Sequence, residues 1–307
     1  MPGPPPTVSL GTHALAGYGE LLEAVRGVRW PARRRISGGP SGSHRSKRRG
    51  LAVEFTEYRA YRQGDDPRQL DWKLLARTDR AYVRLAEEHA VLPTVFVVDA
   101  SASLAYPLPG LGKWVQAEMM VVGLAAIAHA AGDPVGAVVA SPDGPWVVPP
   151  RTRRSVIAEI GSALARRAPG GNPALAPAVA RARGLLRQGG RLVIISDFLG
   201  EGPDDGIVLA GAGAEVVSAG ADCVAVHIAA AEELDPPWKR ALVADPERLD
   251  VRRPLVGATR AAYLARFAAW REELARAWRG AGATYALVVT DDRPARAVCR
   301  IARGDGV

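Results

Sequence analysis

Cysteine is scarce in this chain: Cys223 and Cys299 are the only two among 307 residues. They fall in no CxxC or metal-ligand spacing. That argues against a disulfide framework, a zinc ribbon or a dithiol redox motif, and two buried, reduced thiols are expected. Long apolar runs are missing as well. The longest, Met119–Ala128, is followed at once by His129 and soon by Asp133, whereas a membrane-spanning helix needs roughly 20 apolar residues. The opening MPGPPPTVSLGTH has neither a basic start nor an apolar signal core, so a cytoplasmic chain is expected. Catalytic signatures are equally absent. There is no Gly-x-x-x-x-Gly-Lys phosphate loop and no Gly-x-Ser-x-Gly elbow. The five histidines (His13, His44, His89, His129, His227) are scattered, none in a motif with a Ser or Cys nucleophile. The chain therefore reads as a binding protein and not an enzyme.

What is present is an ordinary globular composition, 48% apolar and 23% charged, in a length that suits one large domain with a modest added element. The 33 glycines and 24 prolines follow no repeat. The net charge of +8 is unevenly placed. Residues 26–50 hold nine Lys or Arg and no acid, which leaves the remainder near −1 (8 minus 9). Three readings stay open: a solvated arm pairing with acids downstream, a dock for an acidic protein face, or a nucleic-acid contact. From Arg33 to Arg49 no Phe, Tyr or Trp interleaves to stack on bases, which weakens the last.

The chain divides into three stretches. Residues 1–44 read as an N-terminal helix, Tyr18–Trp30, followed by a flexible basic loop that runs to residue 50. Residues 45–91 mix acids, bases and aromatics densely, and predict short strands, a turn at Gly64-Asp65-Asp66-Pro67 and a helix start near Asp71-Trp72. There Glu54, Glu57, Asp65, Asp66 and Asp71 can pair with Arg59, Arg62, Arg68 and Arg77, and Trp72 reads as a core anchor. Residues 92–307 alternate regularly. Short apolar, β-branched runs (Thr94–Val98, Pro134–Ala140, Trp146–Val148, Arg191–Ser196, Asp222–Ile228, Thr284–Val289) predict buried strands. Between and after them, Lys113–Ala131, Thr152–Arg167, Pro173–Arg187, Ile207–Ala219, Thr259–Gly280 and Pro294–Arg303 predict helices. That alternation predicts an α/β domain, doubly wound around a mostly parallel sheet.

In such folds ligands bind where strands end. The first strand runs out into Asp99-Ala100-Ser101-Ala102-Ser103 and another into Ser196-Asp197. A carboxylate and two hydroxyls on one tight loop are hard oxygen donors suited to Mg²⁺, Mn²⁺ or Ca²⁺. The bland alternative is that Asp and Ser merely cap a loop or helix. The Asp-x-Ser-x-Ser loop resembles the metal-ion-dependent adhesion site of von Willebrand factor A domains, and the resemblance implies a fold of that type. It also implies a later Asp, matched by Asp197, and a Thr from another loop, where this chain has Asn172. Upstream, Glu54-Phe55, Glu57-x-Arg59-x-Tyr61, Gly64-Asp65-Asp66-Pro67-Arg68, Asp71-Trp72 and Ala76-Arg77 strongly resemble the signature of the bacterial domain-of-unknown-function 58 family. That likeness implies a family element ahead of a divergent von Willebrand A domain. It also implies the short form without the two membrane helices many members carry, and partnership with a MoxR-type AAA+ ATPase as adaptor or co-chaperone. The expected metal ligands are thus Asp99, Ser101, Ser103, Asn172 and Asp197, with Mg²⁺ foremost. A metal-dependent hydrolase using Asp99 and Asp197, helped by acids such as Asp204-Asp205, is the enzymatic alternative.

Overall fold

The computed structural model describes residues 10–33, 41–49, 55–63, 65, 67, 70–107, 112–186, 189–200, 202, 204–236, 241–244, 252–255 and 257–304. Helix α1 spans Leu10–Ala24, earlier than the expected Tyr18–Trp30. It stops because Gly27 turns the chain at φ 77°. Strands β1 (Ser41–Arg49), β2 (Phe55–Ala60) and β3 (Tyr82–Ala90) form an antiparallel sheet in the order β1-β3-β2. The basic stretch expected as a loop thus contributes a strand, because pairing with β3 supplies backbone partners that local propensity does not foretell.

Between β2 and β3 lies α2 (Trp72–Thr78), capped by Asp71, whose Oδ1 accepts from the amides of Lys73 and Leu74 at 3.0 Å. Trp72 is not the core anchor expected. It is 64% exposed, since the short helix turns Asp71 inward and buries none of its own residues. Of the expected charge pairs, Arg59 Nη2 meets Asp65 at 2.7 Å. The Arg59 guanidinium and the Arg62 amide hold that carboxyl below its usual range. Glu54, Gly64, Asp66 and Arg68 lie outside the described residues.

The main sheet follows. Strands β4 (Thr94–Asp99), β5 (Val135–Ala140), β6 (Trp146–Arg151), β7 (Arg191–Ser196) and β8 (Asp222–Ala229) join the later β11 (Thr284–Val289); β9 (Ala241–Ala244) and β10 (Arg252–Leu255) form a separate antiparallel pair. The sheet order is β11-β8-β7-β4-β5-β6, parallel except for β6. Helices α3 (Gly112–Ala130), α4 (Val156–Ala165), α5 (Leu175–Leu186), α6 (Asp205–Ser218), α7 (Ala231–Leu234), α8 (Gly257–Gly280) and α9 (Pro294–Arg303) complete the chain. Alternate strand residues feed two cores. Phe96, Val98, Val139 and Ile195 pack with α1, α3, α4 and α9. Val95, Val97, Leu192 and Ile194 pack with α5, α6 and α8. Burial on both faces is why these strands read as unbroken apolar runs. Trp278 of α8 is fully buried. It closes on Gly213 of α6, where a Cβ would stand 2.6 Å from the ring. Cys223 is buried, but Cys299 is only half-buried, a correction to the expectation for both thiols.

The N-terminal segment is strapped to the amino ends of the strands. Buried Arg191 donates to the carbonyls of Trp30 (3.2 Å) and Pro31 (2.8 Å), and its guanidinium lies 3.9 Å over the Trp30 ring. Asp222 Oδ2 accepts from the Arg33 amide at 2.9 Å. Burial lowers the Arg191 pKa to about 10, against the pull of Asp222. At the opposite, carboxyl edge, β4 has β5 on one side and β7 on the other, so a topological switch point lies between β4 and β7.

Candidate functional site

Asp99 closes β4, and Asp197 follows directly on β7. Both are buried, at 2% and 1% exposure. The Asp99 carboxylate organises its own loop: Oδ1 accepts from the Ser101 amide at 2.8 Å and Oδ2 from the Ser196 hydroxyl at 2.6 Å. Ser196 Oγ in turn accepts from the Phe198 amide at 2.8 Å, with Phe198 in the left-handed region at φ 56°. The Ser101 and Ser103 hydroxyls meet at 3.0 Å. Burial, then the charge of Asp197, pushes the Asp99 carboxyl up to about 6.

Asp197 is bound on both oxygens. Oδ1 accepts from the Leu199 amide at 3.1 Å, and Oδ2 meets the Lys113 ammonium at 2.7 Å. Lys113 Nζ also reaches Glu233 Oε1 at 2.8 Å. Burial alone would lower the lysine's pKa, but Asp197 and Glu233 together outweigh it and hold the group charged. Glu233 Oε2 accepts from the Ala230 amide at 2.7 Å. Lys113 and Glu233 were not among the residues expected from sequence. The available signals were a lysine in the first turn of a largely apolar helix, and a Glu-Glu pair just past the end of β8.

The structure therefore brings Asp99, Ser101, Ser103 and Asp197 to one edge. Asn172 is placed differently. Its loop is stitched to the Asp99 loop by Gly170 N to Ala100 O and Ala102 N to Gly171 O, both 2.9 Å. The Asn172 residue itself is exposed and makes none of the hydrogen bonds described above. Asp205, offered as a helper acid, bonds instead to the amide of Gly202 at 3.0 Å in its own turn. His227 is buried behind the site. Its Nδ1 lies 2.6 Å from Tyr285 Oη, and burial lowers its pKa to about 3.

Among the described residues no three His, Cys, Asp or Glu side chains converge as a metal cage. The donor set at this edge is of another kind, two carboxylates with two hydroxyls, all hard oxygen. Lys113 meets two carboxylates, those of buried Asp197 and half-buried Glu233, and buried Asp99 lies close to Asp197, so the three carboxylates outnumber the one ammonium by two. A divalent cation matches both the chemistry and the charge, so these residues fit one.

A family model described as "Protein of unknown function DUF58" matches residues 57–273. Uncharacterized proteins of Mycobacterium tuberculosis and Mycobacterium bovis are 34% identical over 187 residues, 59% of this chain. The match spans 58% of those relatives' length. Among solved structures, the von Willebrand A domain of SpRpn10 is 12% identical with a TM-score of 0.42, over 71% of this chain and 99% of that one. The pilus adhesin SpaC of Lactobacillus rhamnosus GG is 13% identical with a TM-score of 0.46, over 69% of this chain and 29% of that one.

Proposed function

This chain belongs to the DUF58 family, and from that premise we propose that it is a protein-interaction module that recognises its partner at the carboxyl edge of the sheet. In this reading Asp99, Ser101, Ser103 and Asp197 hold a divalent cation, Mg²⁺ before Mn²⁺ or Ca²⁺, with Asn172 as a further oxygen donor from its stitched loop. The observation that carries the reading is the excess of carboxylates over ammonium at this edge, Asp99, Asp197 and Glu233 against Lys113, together with the meeting of the Ser101 and Ser103 hydroxyls. When bound, the cation supplies an open coordination position for a partner's carboxylate oxygen. The chain's own residues do the rest. Asp99 fixes the loop by accepting from the Ser101 amide, Ser196 orients Asp99, and Lys113 holds Asp197 through its Oδ2. The partner proposed is a MoxR-type AAA+ ATPase, for which this chain acts as adaptor or co-chaperone. Non-catalytic action is supported by His227, whose ring nitrogen is committed to Tyr285 and not to a serine.

The test is calorimetric titration of Mg²⁺ and Mn²⁺ into the wild type and Asp99→Ala, with folding of the variant checked by circular dichroism. Capture of the purified ATPase with and without EDTA accompanies it. Saturable binding lost in the variant, with EDTA-sensitive capture, is expected. Capture indifferent to EDTA would sink the metal dependence; absence of capture would sink the partner.

A further inference from the structure

We infer that Lys113 is a resident cation that competes with a divalent ion for Asp197, so that the site stays closed on itself until an ion displaces the ammonium. This rests on the metal reading above and deepens it by naming how the same site is regulated.

The geometry separates fixed from replaceable partners. Asp197 and Glu233 each give one oxygen to a backbone amide, Leu199 N and Ala230 N. Those donors are fixed by the fold. Each gives its other oxygen to Lys113 Nζ, at 2.7 and 2.8 Å. The ammonium sits at the end of a flexible four-carbon stem and is the one partner that can leave. An ammonium and a divalent ion on the same buried oxygen repel more strongly than they would in water, because little solvent screens them.

A landing place is present. Glu232, the neighbour of Glu233 in α7, has a buried Oε2 with no hydrogen-bond partner. Both glutamates act on the Tyr106 hydroxyl, and the Lys113 ammonium lies 5.9 Å over the Tyr106 ring. Because the ammonium already holds Glu233 at 2.8 Å, it can leave Asp197 for α7 without leaving the protein. Ion binding at Asp99 and Asp197 is in this way coupled to the charge on α7.

The test compares Mg²⁺ titrations at pH 7 of the wild type, Lys113→Met and Lys113→Met/Glu233→Gln. The double variant is the informative one. The double variant removes one positive charge (Lys113) and one negative charge (Glu233), so its net charge equals that of the wild type. A gain in the double variant therefore reports direct competition and not net charge. We expect it to bind Mg²⁺ at least tenfold more tightly than the wild type, with a thermal midpoint that rises more steeply with Mg²⁺. Equal affinity in wild type and double variant overturns the competition and leaves the metal reading standing. No binding in either overturns both. Should the variants fail to fold, the wild type carries the test: the ¹⁵N-labelled ammonium resonance of Lys113, one of four lysines in the chain, shifts on saturation with Mg²⁺. A resonance that stays unmoved while the ion binds overturns the proposal.

Discussion

Replacing Arg191 with Met should loosen the N-terminal strap. Met keeps much of the apolar stem but removes the donors to Trp30 O and Pro31 O, the contact with Asp222 at 3.5 Å and the stacking on Trp30. Breaking a buried ion pair from one side costs roughly 3–5 kcal/mol. Two features place this site at the low end. Asp222 keeps the Arg33 amide, and Arg191 Nη1 already lacks a partner, so its removal relieves some desolvation. The expected loss is therefore about 3 kcal/mol, read from urea denaturation at pH 7 by tryptophan fluorescence. The peptide bonds after Arg26, Arg29 and Arg33 should become trypsin-sensitive under native conditions, because the strap is what lays that segment against the strand ends. A loss below about 1 kcal/mol, with the wild-type digestion pattern, would refute the reasoning. It would mean that Tyr18, Leu21 and Val25 hold the segment by apolar packing alone.

His227 should add acid lability. Its folded-state pKa is depressed to about 3 by burial, while an unfolded histidine titrates near 6.5. Between those values the unfolded chain binds a proton that the folded chain does not, so stability falls as pH is lowered through that window. His227→Phe should show a shallower fall between pH 6.5 and 4.5 in denaturation titrations; an unchanged slope counts against the assignment. Trp278→Ala should cost roughly 3–5 kcal/mol as a fully buried large-to-small change. Trp278→Phe should cost clearly less, since the indole N–H has no partner to lose, and similar denaturation midpoints for the two would contradict this. Burial pushes the Cys223 thiol up to about 12. Iodoacetamide at pH 8 should therefore label half-buried Cys299 and spare Cys223 in the native protein, as followed by mass spectrometry; equal labelling would mean the α6–α8 face opens readily.

The parts of the fold that local pattern dictates were readable in advance. Strands Arg191–Ser196 and Thr284–Val289 and helix Pro294–Arg303 have the ends that apolar runs and capping residues predict. What depends on distant partners was not. Ser41–Arg49 is a strand only because β3 lies beside it. Trp72 looks like a core residue by type, yet the capping geometry of Asp71 leaves it outside. At the site, Asp99 and Asp197 are announced by strand ends. The Lys113–Glu233 contact spans 120 residues and has no spacing rule, because it is created by the meeting of α3 and α7 across the edge of the sheet. Asn172 is legible as a position in the chain, but its loop is brought to the Asp99 loop only by the backbone bonds of Gly170 and Gly171, which no local pattern announces.

Asp99 ends β4 and Asp197 sits one residue past β7, and the two strands are hydrogen-bonded neighbours with Val98 opposite Ile195, so both residues hang from a ladder whose strands lie roughly 4.8 Å apart. Glu233 rides instead on a helix of four residues, and the separate β9–β10 hairpin comes next along the chain. The edge thus has a stiff half and a compliant half. A partner pressing on it would meet the two strand-anchored aspartates on the stiff side, and yielding would fall first to the α7 side, which is where a mechanical readout of docking has to be sought.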